Sequence, residues 1–113
     1  MNMKNTRPEI SERLIEKIIR RILEVADPIR IIVFGSASAG KMTADSDVDL
    51  LVIEDSFTNQ REENLRLRKA LKDLDVPVDI FTMTSERFNE TKNVIGGLAY
   101  PANKYGRVIY ETS

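Results

Sequence analysis

The chain has 113 residues, of which 42% are hydrophobic and 31% charged, and 17 basic against 18 acidic side chains leave a formal charge of −1. That size predicts one domain over residues 1–113; no apolar run approaches the roughly 18 residues of a membrane span, and the balanced charge supplies no general positive field to hold a long nucleic acid. Cysteine and histidine are both absent, which excludes disulfides, thiolate zinc sites, Cys nucleophiles and His-dependent triads, so a metal would need oxygen ligands, as suits Mg²⁺, Mn²⁺ or Ca²⁺.

Met1-Asn2-Met3-Lys4 runs into a charged amphipathic segment without the features of a secretory leader, so a cytoplasmic address is expected. Thr6-Arg7-Pro8-Glu9 fits a capping box with proline in the first turn. Ile10, Leu14, Ile15, Ile18, Ile19, Ile22 and Leu23 then recur at helical spacing, predicting a helix over about 8–25 that Asp27-Pro28 ends. Arg30 to Phe34 is a short β-branched run closing on Gly35-Ser36, the pattern of a buried strand feeding a turn. Residues 36–46 are small and polar and read as a loop, and Val48 to Ile53 as a second strand.

Gln60–Leu74 predicts a second helix, with Leu67, Ala70, Leu71 and Leu74 inward. Arg61, Arg66, Arg68, Lys69 and Lys72, interleaved with Glu62, Glu63 and Asp73, form its solvated face. Val76 to Thr82 reads as a third strand, since Pro77 is tolerated at a strand's beginning, and Ser85 to Glu90 as a short helix. Val94, Ile95, Leu98, Ala99 and Ala102 share a helical face interrupted by Gly96-Gly97 and Pro101. Gly106 stands where a C-terminal cap belongs, and Arg107 to Glu111 would be a last strand. Tyr100, Tyr105 and Tyr110 are expected to pack or to lie at a rim. The order predicts an α/β (α+β) fold, a mixed sheet of about four strands packed with helices.

Chemistry concentrates at the strand starts. Asp47 and Asp49 open an otherwise apolar strand; two residues apart, they share a face with Cα atoms about 7 Å apart, enough to share one ion. Asp79 interrupts the third strand in the same manner, and from a neighbouring strand about 4.8 Å away its carboxylate could converge on theirs. Two unit charges at about 4 Å repel by about 4 kcal/mol at an effective dielectric near 20, so convergence calls for a cation or for protons. Gly35-Ser36 adds backbone N–H groups and a hydroxyl suited to phosphate oxygens. Gly35-x-x-x-x-Gly40-Lys41 nearly matches a P-loop but fails at Met42, and the next strand follows too soon for a parallel crossover.

Gly35-Ser36, ten residues, Asp47-x-Asp49 and a later strand acid at Asp79 resemble the signature of the DNA polymerase beta-like nucleotidyltransferase superfamily. Within it the chain is most similar to the minimal nucleotidyltransferases, antitoxin partners of HEPN-domain toxins, over almost its whole length. The segments from Gly97 to Tyr100 and from Gly106 to Glu111 resemble their usual ending. The resemblance implies a nucleotidyltransferase-like fold and transfer of AMP from ATP to a hydroxyl of a HEPN-type toxin that docks in trans. It also implies that Asp47 and Asp49 bind two Mg²⁺ ions, that Asp79 binds one of them and helps deprotonate the acceptor, and that Gly35 and Ser36 hold the triphosphate. Where members commonly carry arginine before the glycine ending this turn, the chain has Ala39, with Lys41 two residues later able to reach the phosphates instead. The alternative implied is a catalytically weak or inactive antitoxin that neutralises its partner by complex formation.

Overall fold

In the computed structural model the described residues are 12–34, 48–74 and 76–112. The first helix, α1 (Glu12–Val25), turns Ile15, Ile18 and Ile22 inward at spacings of three and four, which places them on one stripe. Residues 8–11 of the expected helix lie outside the described residues. Ala26 N–H still donates to Ile22 O at 2.9 Å, and Pro28 already begins β1 (Pro28–Phe34).

The remaining strands are β2 (Val48–Glu54), β3 (Val78–Thr84) and β4 (Arg107–Glu111), and the sheet order is β3-β2-β1-β4. β1 runs antiparallel to both β2 and β4, whereas β2 and β3 are parallel. A parallel pair needs a crossover, and α2 (Gln60–Ala70) provides it. Asn59 Oδ1 caps α2 by accepting Glu62 N–H at 3.1 Å. Two short helices, α3 (Ser85–Thr91) and α4 (Ala99–Tyr105), complete the mixed α+β fold.

Because side chains alternate along a strand, β2 sends Val48, Leu50 and Val52 to one face and Leu51 and Ile53 to the other. The first set packs with Ile15, Ile18 and Ile22 of α1 and Leu67 of α2, and the second with Phe88 of α3 and Ala99 and Ala102 of α4. Both faces are covered, which explains why β2 is apolar without interruption from Leu50 to Ile53.

Several boundaries differ from the sequence expectation. α2 ends at Ala70 and continues as turns to Leu74. β3 starts at Val78 rather than Val76: Pro77 has no N–H for a ladder, and it contributes its carbonyl instead, which accepts Val48 N–H at 2.9 Å. β3 then runs to Thr84, whose hydroxyl accepts Arg87 N–H at 3.2 Å and starts α3. The expected helical face at 94–102 is present only from Ala99 onward. Val94 and Ile95 are 57% and 82% exposed, because Gly96 and Gly97 take φ of 111° and 73°, which no right-handed helix contains.

Gly106 does cap α4, donating its N–H to Ala102 O at 3.0 Å, but its φ is −78°. Space, not a left-handed backbone, demands glycine here: a Cβ would lie 2.4 Å from Ala102 O and 2.5 Å from Ile32 Cγ2.

Candidate active site

Each of the two parallel strands carries an acid as its second residue. The register pairs Val48 with Val78 and Asp49 with Asp79, so the two aspartates stand side by side on one face, across a strand spacing of about 4.8 Å. Asp49 is half-buried and Asp79 exposed. Further along the same face, Leu51 pairs with Phe81 and Ile53 with Met83, and these belong to the apolar cluster beneath α3 and α4. The acids therefore mark the point where a covered face opens at the N-terminal ends of β2 and β3.

On the other side of β2, Phe34 is the register partner of Asp49. Phe34 on β1 and Phe81 on β3 are separated by β2, yet their rings approach to 5.9 Å between centroids at 52°. They must therefore meet above β2, between the Asp49 row and the Leu51 row, and close the inner side of Asp49 with apolar surface.

Sequence reasoning placed six residues at this site. The structure brings Asp49 and Asp79 together; Asp47, Gly35, Ser36 and Lys41 lie outside the described residues, as does Ala39. Residues 35–47 join Phe34 to Val48, and both of these ends flank Asp49. Among the described residues no group of three or more acidic, His or Cys side chains is arranged to hold a metal. Two adjacent carboxylates at a strand end are nevertheless a hard-oxygen donor pair, and that donor chemistry fits a divalent cation such as Mg²⁺.

A second polar constellation occupies the other end of β2, and two of its members, Glu63 and Arg66, were expected on a solvated helix face. Glu54 and Glu63 are 6% and 7% exposed and line a cavity of about 360 Å³ together with Arg66, Asn59 and Thr58. The helical period could have placed Glu63 inward, since it lies four residues before the buried Leu67. Nothing in the sequence pairs it with Glu54. A larger hollow of about 470 Å³ between Ile19 and Leu23 is apolar and lies on α1, which covers the sheet face opposite Asp49 and Asp79. Among the described residues, no helix is long and apolar enough to cross a membrane.

Residues 12–98 match the family model described as a nucleotidyltransferase domain. Among curated proteins, none matches the chain. The fold is similar to that of a solved toxin–antitoxin structure with AMP-PNP, with TM-score 0.60, 22% identity, 87% of this chain and 73% of that one covered. It is also similar to two mutants of the MntA-HpeT toxin–antitoxin. One carries two Asp-to-Glu changes two residues apart (TM-score 0.58, 20% identity, 87% and 73% covered), the other a Tyr-to-Ala change (TM-score 0.54, 23% identity, 92% and 75% covered).

Proposed function

We propose that this chain, which belongs to the nucleotidyltransferase domain family, transfers AMP from ATP to a hydroxyl of a partner protein, a HEPN-type toxin, and thereby acts as its antitoxin. The observation that carries the reading is the side-by-side placement of Asp49 and Asp79 at the open end of two parallel strands. The similarity in fold to toxin–antitoxin structures, one with AMP-PNP, supports a nucleotide donor and a protein acceptor.

Asp47 and Asp49 are the residues to hold two Mg²⁺ ions, with Asp79 sharing one of them. When bound, Mg²⁺ supplies neutralisation of the triphosphate charge and polarisation of the α-phosphate. Gly35 and Ser36 donate hydrogen bonds to phosphate oxygens, and Lys41 offsets their charge. Phe34, the register partner of Asp49, and Phe81 place an apolar ring pair next to this site. Asp79, the more exposed of the two described acids, takes the proton of the acceptor hydroxyl. The hydroxyl oxygen bonds to the α-phosphorus, the bond from that phosphorus to the bridging oxygen breaks, and pyrophosphate leaves with the electron pair.

The test is to incubate the protein and its toxin partner with α-labelled ATP and Mg²⁺, then weigh the partner. The expected result is the mass of one added AMP, with transfer lowered about 10²-fold or more in Asp49→Asn. Equal transfer by that variant removes Asp49 from the mechanism. A stable complex without any transfer replaces catalysis with neutralisation by binding.

A further inference from the structure

Glu54 ends β2 at the opposite end from Asp49, and it is a carboxylic acid almost wholly withdrawn from water. Its side chain and that of Glu63, in the first turn of α2, are both buried and line the same cavity, a pairing of two carboxyls. Two carboxyls can bond to each other only with a proton between them.

The neighbouring cation is already committed. Arg66 Nη2 donates to both Glu63 oxygens at 2.6 and 2.8 Å, and its Nη1 donates to Val25 O at the end of α1. Glu54 Oε2 is buried with no hydrogen-bond partner among the described residues. An ionised carboxylate would pay heavily for that unmet oxygen, whereas a neutral one pays far less. The other charged group acting on Glu54 is Asp27, an acid, and its register partners Pro28 and Thr84 carry no charge. Glu62, which lines the same cavity, is acidic too. Burial first, and then Glu63, push Glu54 up to about 8. Burial opposes the charge on Glu63, but its interactions with Glu54 and Arg66 outweigh this and hold it below its ordinary value. The two environments drive the pair apart, one acid neutral and one ionised.

What this contact fastens is α2. From α2, Gln60 Nε2 donates to Thr82 O at 2.7 Å, and Asn64 Oδ1 accepts the Thr82 hydroxyl at 2.6 Å. Thr82 is buried in the middle of β3, which among the described residues is an edge strand paired only with β2. Its register against β2 is what aligns Asp79 with Asp49.

We infer that Glu54 and Glu63 form a latch held by a shared proton, which seats α2 on the sheet and through Gln60, Asn64 and Thr82 keeps β3 in register, so that raising the pH frees the strand carrying Asp79. Glu54 is in this sense a positioning residue. The latch stands on the contacts at its own end of the sheet, whatever chemistry the aspartates perform.

The experiment is a ¹³C titration of the glutamate carboxyls of the full chain, paired with amide hydrogen exchange corrected for its intrinsic pH dependence. Glu54 is expected to titrate well above the other glutamates. Protection in α2 and β3 is expected to fall, by up to about tenfold per pH unit above that titration, while α3 and β4 are unchanged. Glu54→Gln, which keeps the shape of the neutral acid, is expected to hold its protection across the same range. Glu54 titrating near 4.5 with the other glutamates would overturn the latch, as would loss of protection in Glu54→Gln equal to that of the wild type. If the variant does not fold, the wild-type titration alone decides.

Discussion

Asp79 lies exposed on an edge strand, so replacing it by asparagine removes a charge without opening a cavity. Asp79→Asn should therefore melt at or slightly above the wild-type temperature, because one of two adjacent negative charges is gone. If the pair holds a cation as proposed, the same variant loses Mn²⁺ binding, which electron paramagnetic resonance would read directly. Unaltered Mn²⁺ affinity would assign the ion to other groups. Gly106 gives the opposite case, a residue with no chemistry and no room. Its α-hydrogen faces Ala102 O and the β-branched Ile32, neither of which can swing aside as a flexible side-chain end would. Gly106→Ala should cost about 1–3 kcal/mol, measurable by urea denaturation, through displacement of α4 from β1.

Among the elements, α1 contributes an apolar stripe and α2 a polar buttress, and the two should respond differently to conditions. Ile18 is fully buried between α1 and the sheet, and Ile18→Ala should destabilise by about 2–5 kcal/mol at any pH. The α2 contribution is pH-dependent through Glu54. Its carboxyl holds a proton up to about 8 when folded, against an ordinary value of 4.5, so between these limits the folded chain binds more protons than the unfolded one. Stability attributable to Glu54 therefore falls as pH rises across that window and levels off above it. Urea midpoints at about pH 5, 6.5 and 8 should decline in the wild type and lose this decline in Glu54→Gln; parallel slopes in the two proteins would assign the pH dependence to other groups.

At the scale of the whole molecule, the sheet is closed on both faces by apolar side chains, and Asp49 and Asp79 stand at one end of it. Folding should then be independent of divalent metal: a chelator should leave the melting temperature unchanged. Nucleotide with Mg²⁺ should raise stability by mass action, about 2.7 kcal/mol at a hundredfold excess over Kd. Unfolding by chelator would mean that a metal is part of the core. The exposed pairs Arg30–Glu111 at 2.6 Å and Arg107–Glu12 at 3.0 Å link β4 to the rest of the structure, but their charges are solvated. Glu111→Gln should change stability by no more than about 1 kcal/mol.

The sequence by itself determined the elements whose cause is local. Helical spacing of Ile15, Ile18 and Ile22 located α1, the unbroken run Leu50 to Ile53 located a strand, and the acids interrupting two such runs marked where to look for chemistry. Tertiary structure decided whatever depends on residues meeting from afar. Register placed Asp49 opposite Asp79, because a strand's period fixes which face a side chain takes but not its neighbour on the next strand. Packing volume required Gly106, where a capping rule pointed to backbone conformation. Burial took Glu63 off the solvated helix face and set it beside Glu54 in one cavity, since a carboxyl's protonation depends on water and neighbours that only the folded chain assigns.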